Sequence, residues 1–314
     1  MSIHDSKVVI IGSGFVGTSI AYATLIRGLC TELVMVDIHR EKAEGEVMDL
    51  SHGLPFVPPV AIRAGGYEEC AGAEIIVISA GANQEPGQSR LDLVQKNSKI
   101  LLSILQEIEQ YEKNAILIIV TNPVDVLTTL ASQHSQIPPE RVIGSGTILD
   151  TARFRYILSQ RYGISASSIH AYVIGEHGDS GVPLFSSASI AGSPLIHCEN
   201  AIGTNNQSWK EEITSEVRKA AYEIINRKGA TYYGIGLSCT YILQSILRDE
   251  QKVLTVSSYL NDQYGSLGTA ISVPCVLGKR GIKSRLQVSM DPLERELFIR
   301  SSEKLKESLQ IVSS

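Results

Sequence analysis

With 314 residues, 43% of them hydrophobic and 19% charged, the chain has enough apolar material for one large domain or two and is globular rather than disordered. A net charge of −5 argues against a nucleic-acid binder, which needs a basic face, and apolar runs such as Ile75–Ala80 and Ala115–Val120 are far too short to cross a membrane. Five cysteines without a CxxC pair, and a first segment with no basic stretch leading into an apolar one, predict a reducing cytoplasmic location and no metal site.

Lys7–Ile11 is a short β-branched run, predicted to be a buried strand. Gly12-Ser13-Gly14-Phe15-Val16-Gly17 follows at once, then a helical pattern over Thr18–Arg27 ending near Gly28. A second buried strand, Glu32–Val36, is closed by Asp37. Strand, glycine turn, helix, strand and acid in this order predict a dinucleotide-binding βαβ unit. Its glycines let the backbone approach a pyrophosphate, and the helix N-terminus favours the phosphate charge. Asp37 lies 20 residues after Gly17, where its carboxylate accepts hydrogen bonds from an adenosine ribose and repels a 2′-phosphate, favouring NAD over NADP.

A helix over His39–Ser51 comes next, ended by Pro55, Pro58 and Pro59, then strands over Val60–Ala64 and Glu74–Ser79. The loop Ala80–Arg90, rich in Gly, Pro and polar residues, follows a parallel strand and has the composition of a mobile lid over a ligand. Arg90 opens the next helix, Leu91–Tyr111, at the end where a cation opposes the helix dipole, which favours a functional reason for it. Strand Ala115–Val120 leads into Thr121-Asn122-Pro123-Val124-Asp125, where Asn122 either bonds a ligand or simply stops the strand with Pro123. After strand Arg141–Gly144, a helix runs from Thr147 to about Tyr162. On it Asp150 and Arg153 share a face. Arg155 stands about 200° round the helix from Arg153, so the two arginines serve different sites.

Tyr172–Ile174 is a short buried strand, and Gly175-Glu176-His177-Gly178-Asp179 carries a histidine out of it. Beyond residue 151 the pattern changes: helices over Ser208–Arg227, from about Ala230 to Arg248, and over Pro292–Leu309, with strands over Val253–Tyr259, Ala270–Leu277 and Ile282–Val288. The expected fold is α/β: a Rossmann doubly wound parallel sheet over residues 1–150, then an α+β substrate-binding and catalytic domain over 151–314, with the cleft between them. Oxidising a 2-hydroxy acid with NAD requires a base for the hydroxyl proton, a planar cation for the carboxylate and a positive charge near the carbonyl oxygen. His177, Arg153 and Arg90 supply these in turn, and Asp150 fixes the histidine's tautomer.

These motifs, with Gly144-Ser145-Gly146-Thr147 and Lys228-Gly229-Ala230-Thr231-Tyr232-Tyr233-Gly234, resemble the bacterial-type L-lactate dehydrogenases of the lactate/malate dehydrogenase family over essentially the whole length. The resemblance implies that His177 is the proton relay, Asp150 its partner, Arg153 the carboxylate-binding arginine and Arg90 the loop arginine. It implies that Asn122, followed by a cis proline, and Thr231 contact substrate. The NAD site implied comprises Gly12, Gly14, Phe15, Val16, Gly17, Asp37, Gly81, Ala82, Asn122 and Ile235. Glutamine at Gln84 goes with pyruvate and L-lactate, where arginine goes with malate. A neutral amide leaves a second carboxylate stranded in a dry site. The family is usually a homotetramer, and its members activated by fructose 1,6-bisphosphate bind it between subunits with residues matching Arg155 and His170. A malate dehydrogenase, an enzyme for bulkier 2-hydroxy acids and a non-catalytic NAD-binding protein remain alternatives.

Overall fold

A computed structural model describes residues 6–82, 90–198, 208–261, 263–265 and 268–313. The β-branched runs in the first half do form strands: β1 (Lys7–Ile11), β2 (Glu32–Val36), β3 (Ala61–Gly65), β4 (Ile75–Ile78), β5 (Ile116–Ile119) and β6 (Val142–Gly144). They are connected by α1 (Phe15–Arg27), α2 (Arg40–His52), α3 (Arg90–Ile108) and α4 (Val124–His134). All six strands pair in parallel in the order β3-β2-β1-β4-β5-β6. That is the doubly wound order, and it needs apolar residues on both faces of each central strand. β4 and β5 are buried at every position.

All six parallel strands present their C-terminal ends on one side of the sheet. The order reverses between β1 and β4, and there the connections leave to opposite faces and open a crevice. The residues that follow β1, β4 and β5 are therefore neighbours there. Ser79 Oγ donates to Gly12 O at 3.0 Å, and Thr121 Oγ1 donates to Ala80 O at 2.7 Å.

After β6 comes α5 (Ile148–Tyr162), which carries Asp150, Arg153 and Arg155. Short strands β7 (Ile169–His170), β8 (Val173–Ile174), β9 (Val182–Pro183), β10 (Ser189–Ile190) and β11 (Ser193–Pro194) form two small sheets, and α6 (Leu195–Cys198), α7 (Trp209–Lys228) and α8 (Tyr233–Leu247) follow. The final elements are β12 (Lys252–Leu260), β13 (Thr269–Gly278), β14 (Gly281–Arg285) and α9 (Pro292–Ser313).

The sequence pattern foresees these last strands but not where they go. They join the first sheet antiparallel, extending it to nine strands through the pairing of Ser257 with Gly144. The physical reason is edge protection, because β6 would otherwise expose unpaired backbone groups along one side. The third of them also ends sooner than the pattern Ile282–Val288 suggests, at Arg285. A second apolar core, centred on Phe154, Leu158, Trp209, Ile213 and Val217, packs α7 against α5. Among the described residues no helix is long and apolar enough to cross a membrane, and no three His, Cys, Asp or Glu side chains are grouped to hold a metal ion.

Docking of β12 on β6 requires a residue without a side chain at Gly146, where φ is +55° and a Cβ would stand 2.4 Å from Ser257 N. Gly146→Ala is expected to destabilise the fold by about 2–3 kcal/mol, through overpacking against backbone that cannot yield. Urea denaturation of the variant beside the wild type checks this.

Candidate active site

The turn after β1 is shaped by its glycines and by a bond that the sequence pattern does not reveal. Gly12 has φ +106°, and a Cβ there would lie 2.6 Å from Ala80 N. A Cβ on Gly17 would lie 1.9 Å from Gly12 O, so helix and strand can approach only through glycine. Gly14 differs: among the described residues nothing lies within 4 Å of the place its Cβ would take. The described residues thus leave the space over Gly14 at the N-terminus of α1 open, as a backbone cradle for a pyrophosphate requires. Ser13 is fully buried, and both its N–H and its hydroxyl donate to Asp37 Oδ2, at 2.7 and 2.8 Å. Asp37 Oδ1 accepts from His39 N at 2.9 Å. Burial opposes the Asp37 charge, but these donors prevail and hold its carboxyl below the usual carboxylate range. Asp37 thus clamps the glycine turn as well as closing β2. Val16 packs partly into the core, while Phe15 is 69% exposed and stacks on Tyr232 with ring centroids 5.1 Å apart.

The far wall of the crevice is tied by Asn97, only 2% exposed. Its amide oxygen accepts from Ala82 N at 2.8 Å, and its amide nitrogen donates to Asn122 O at 2.8 Å. A Cβ on Gly81 would meet Thr121 Cγ2 at 2.3 Å. Ala82, Gly81 and Asn122 are thereby drawn together by a residue of α3 that carries no recognisable motif. The Asn122–Pro123 peptide bond is cis.

Opposite this wall stands the histidine. At the start of α5 the Thr147 N–H donates to Ser272 Oγ on β13 at 3.1 Å, which fixes the helix against the sheet. One turn along, Asp150 uses both oxygens: Oδ2 accepts from His177 Nδ1 at 2.6 Å, and Oδ1 accepts from Arg153 Nη1 at 2.9 Å. The three side chains are 13% (Asp150), 13% (Arg153) and 24% (His177) exposed, so they meet largely out of water. Burial acts against the imidazolium, yet the charge and hydrogen bond of Asp150, aided by Asp125, hold His177 above the ordinary histidine range. Burial likewise acts against the Asp150 charge, but His177 and then Arg153 pull its carboxyl below the usual range.

The histidine's main chain is braced from three directions. Gly175 and Ser272 exchange backbone hydrogen bonds of 2.9 and 3.1 Å. Glu176 N donates to Ser301 Oγ of α9 at 2.8 Å. His177 N donates to Asp125 Oδ2 of α4 at 2.7 Å. Burial pushes the Asp125 carboxyl up to about 6, although that N–H favours its charged form. Sequence reasoning passes over Asp125 and Ser301. Only the first left a trace, as an acid at the head of a helix whose next six residues are buried.

Asn122, Asp150, Arg153 and His177 all line one cavity of about 330 Å³, closed on its other side by Val217, Arg218, Ala221 and Tyr222 of α7. Four of the expected residues are thus brought together. Among the described residues Thr231 and Ile235 do not line that cavity. Ile235 packs partly buried against the main core, and Thr231 lies in the stretch just before α8. Gln84 and the Arg90 side chain lie outside the described residues. Arg155 faces elsewhere, as the helix period requires. Its Nε donates to Ala171 O at 2.9 Å, its guanidinium stands 5.2 Å from the Tyr172 ring centroid, and it lines a separate cavity of about 350 Å³. His170 is exposed on β7 and does not line that cavity.

A dinucleotide cradle at the sheet's crevice, beside a buried carboxylate–imidazole pair and a guanidinium, defines a dinucleotide-linked dehydrogenase. The sequence profile of the lactate/malate dehydrogenase NAD binding domain matches residues 6–144, and that of the family's alpha/beta C-terminal domain matches residues 147–314. The chain belongs to the lactate/malate dehydrogenase family. It is 47% identical to L-lactate dehydrogenase of Acetivibrio thermocellus over 305 residues, 97% of this chain and 96% of that one. It is 45% identical to L-lactate dehydrogenase 1 of Clostridium acetobutylicum over 309 residues, 98% of this chain and 99% of that one. Among solved structures it superposes with a TM-score of 0.95, at 42% identity, on the ligands-bound minor L-lactate dehydrogenase of Enterococcus mundtii, covering 98% of each chain. A lactate dehydrogenase from a Medee basin deep-sea metagenome library gives a TM-score of 0.96 at 41% identity, with 99% of each chain covered.

Two outcomes follow from the geometry. Asp150→Asn removes the charge that holds His177 protonated, so the His177 pKa falls, and NMR titration of its ring proton reads the drop. The pair's contribution to stability is full between the ordinary carboxylate and imidazole ranges. It fades as pH rises through the raised pKa of His177 and as pH falls through the lowered pKa of Asp150. In the glycine turn, Gly14→Ala is expected to leave thermal stability near the wild type, because its Cβ meets no atom of the described residues, but to weaken NADH binding on the order of tenfold or more by filling the phosphate approach. Melting curves and fluorescence titration with NADH separate the two effects.

Proposed function

We propose that the chain is an NAD-dependent L-lactate dehydrogenase that interconverts pyruvate and L-lactate. The observation that carries the reading is the buried Arg153–Asp150–His177 chain facing Asn122 across a small cavity beside the glycine cradle. Residues 1–150 hold the dinucleotide in this reading, and residues 151–314 supply most of the substrate cavity. The cradle is Gly12, Gly14, Phe15, Val16 and Gly17, with Asp37 at the ribose, Gly81, Ala82 and Asn122 on the opposite wall, and Ile235 towards the nicotinamide. NADH held there would supply a hydride for C2 of pyruvate.

The chain's own residues do the rest. Arg153 binds the substrate carboxylate through its planar fork, which fixes one end of the molecule. His177, protonated at the ring nitrogen not bonded to Asp150, donates that proton to the carbonyl oxygen as the alkoxide forms. In the reverse direction the neutral imidazole takes it back. Asp150 stabilises the imidazolium and holds the ring in the required tautomer. Arg90 adds positive charge at the developing oxyanion, Asn122 contacts the substrate from the cavity wall, and Thr231, which does not line the described cavity, is a further contact that the family resemblance implies. Gln84, a neutral amide at the position where the resemblance has arginine go with malate, offers no cation to a second substrate carboxylate, which favours pyruvate over oxaloacetate.

We further propose that the chain works as a homotetramer. Tyr22, Ile26, Met48, Phe56, Tyr233 and Leu237 are large apolar side chains left exposed on α1, α2, α8 and the turn after α2, an apolar surface of the kind that covers itself in self-association. Its cysteines are all free, which fits a cytoplasmic setting. Arg155, half-buried against Tyr172 and, among the described residues, bonded to the Ala171 carbonyl and to no carboxylate, is a cation suited to a phosphate, and with His170 it is proposed to bind fructose 1,6-bisphosphate between subunits. NADH oxidation with pyruvate is expected to exceed that with oxaloacetate by at least about a hundredfold in kcat/KM. The bisphosphate is expected to raise the pyruvate rate and the tetramer fraction seen in sedimentation, and Arg155→Ala to abolish both responses. A preference for oxaloacetate would reject the reading of Gln84.

A further inference from the structure

Arg218 borders two cavities. One is the cavity of about 330 Å³ that contains His177 and Arg153. The other, about 900 Å³, lies beyond it, between α7, the segment around Val182–Phe185 and the start of α9. Three side chains line both spaces: Asp179, Arg218 and Tyr222. They form the partition between the two.

The partition is tied in place. Arg218 Nη2 donates to Gly181 O at 2.8 Å, and Tyr222 OH donates to Asp179 Oδ1 at 3.2 Å. Arg218 and Tyr222 are four residues apart on α7, so they stand on one face, a turn from each other. Both bonds grip the stretch that leaves His177. Arg218 is itself half-buried, its stem running beside Val217 and Ala221 in the wall of the smaller cavity.

A 2-oxo acid held at this site has little freedom. Arg153 takes the carboxylate and His177 faces the carbonyl oxygen, which leaves the remaining substituent on C2 the side of the lining that α7 forms; there the Arg218 guanidinium is engaged by the Gly181 carbonyl and faces Asp179, so the wall presents its apolar stem to the substituent and not its charge. We propose that Arg218 sets the length of side chain the site accepts, closing the cavity behind a short substituent such as the methyl of pyruvate. This rests on the 2-oxo acid reading above. A longer substituent meets the Arg218 stem and the bond that anchors its guanidinium. Shortening the side chain joins the smaller cavity to the larger and gives that substituent somewhere to go. Discrimination of this kind, a wall against extra methylenes, is worth roughly ten- to two-hundred-fold in kcat/KM.

The test compares kcat/KM for 2-oxohexanoate and for pyruvate in the wild type, Arg218→Ala, Arg218→Met and Tyr222→Ala, with binding of both acids to the NADH-loaded protein by calorimetry as a second readout. Arg218→Ala is expected to raise the 2-oxohexanoate to pyruvate ratio by at least about tenfold. Tyr222→Ala, which thins the same partition from the next turn, shifts it the same way and serves if Arg218→Ala does not fold. Arg218→Met keeps the length but not the hydrogen bond, so its ratio stays near that of the wild type even where both rates fall. Unchanged ratios in both truncations, or an equal shift in Arg218→Met, overturn the proposal and leave Arg218 only a brace for the Gly181 carbonyl. Failure of the activity itself shows in the wild type, which would then not reduce pyruvate. The binding ratio still judges the partition in that case.

Discussion

The Asp150–His177 hydrogen bond joins a residue of α5 to one that follows β8, and the arrangement around it exists to make a short bond between two ionisable groups possible away from water. A buried carboxylate alone is costly, and a buried imidazolium alone is costly too. Held at 2.6 Å, each makes the other's charge tolerable, as their opposed pKa shifts record. Arg153 takes the second carboxylate oxygen, so Asp150 serves two cations at once. The pairing demands that α5 and the turn after β8 be fixed relative to each other with little slack, and most of the polar bonds nearby serve that demand.

Those bonds come from elements scattered along the chain. Ser272 of β13 bonds both the start of α5 and the backbone at Gly175. Ser301 of α9 and Asp125 of α4 take the next two N–H groups, those of Glu176 and His177. These groups are buried or partly so, and a buried donor left unpaired costs roughly 1–3 kcal/mol, which favours the conformation of the turn in which all are satisfied. The antiparallel hairpin that extends the sheet has the same logic at larger scale. It covers the open edge of β6 and, in doing so, brings Ser272 to the site.

The crevice on the other side follows from strand order. Parallel strands place their C-terminal turns together, and the reversal between β1 and β4 leaves a gap between Gly12–Gly17 and Ala80–Ala82. Gly12 and Gly17 are required by contacts within the protein, while a Cβ on Gly14 would meet none of the described residues. Packing thus asks for glycine at the first and third positions and leaves the second open. Asp37 serves packing as well: its two oxygens hold Ser13 and His39 in a turn that a ribose would also meet.

Much of this was legible in the sequence because it rests on local rules. Short runs of Val and Ile bounded by turn residues read as buried strands, glycines at fixed spacing between strand and helix read as a tight turn, and the 3.6-residue period alone separates Arg153 from Arg155. The pairing of His177 with Asp150 was inferred from the chemistry that a hydroxy acid requires and from resemblance. What the sequence could not determine was anything set by distant partners: that β12–β14 would cap β6, that Asn97 would tie Ala82 to Asn122, that Ser301 would hold Glu176, or that Arg218 would stand between two cavities. Asn, Ser and Arg in amphipathic helices have the same local signature whether they face water or a buried carbonyl. Which of the two they face is decided only when elements far apart in the chain pack, because hydrogen bonding there depends on a partner that no neighbouring residue specifies.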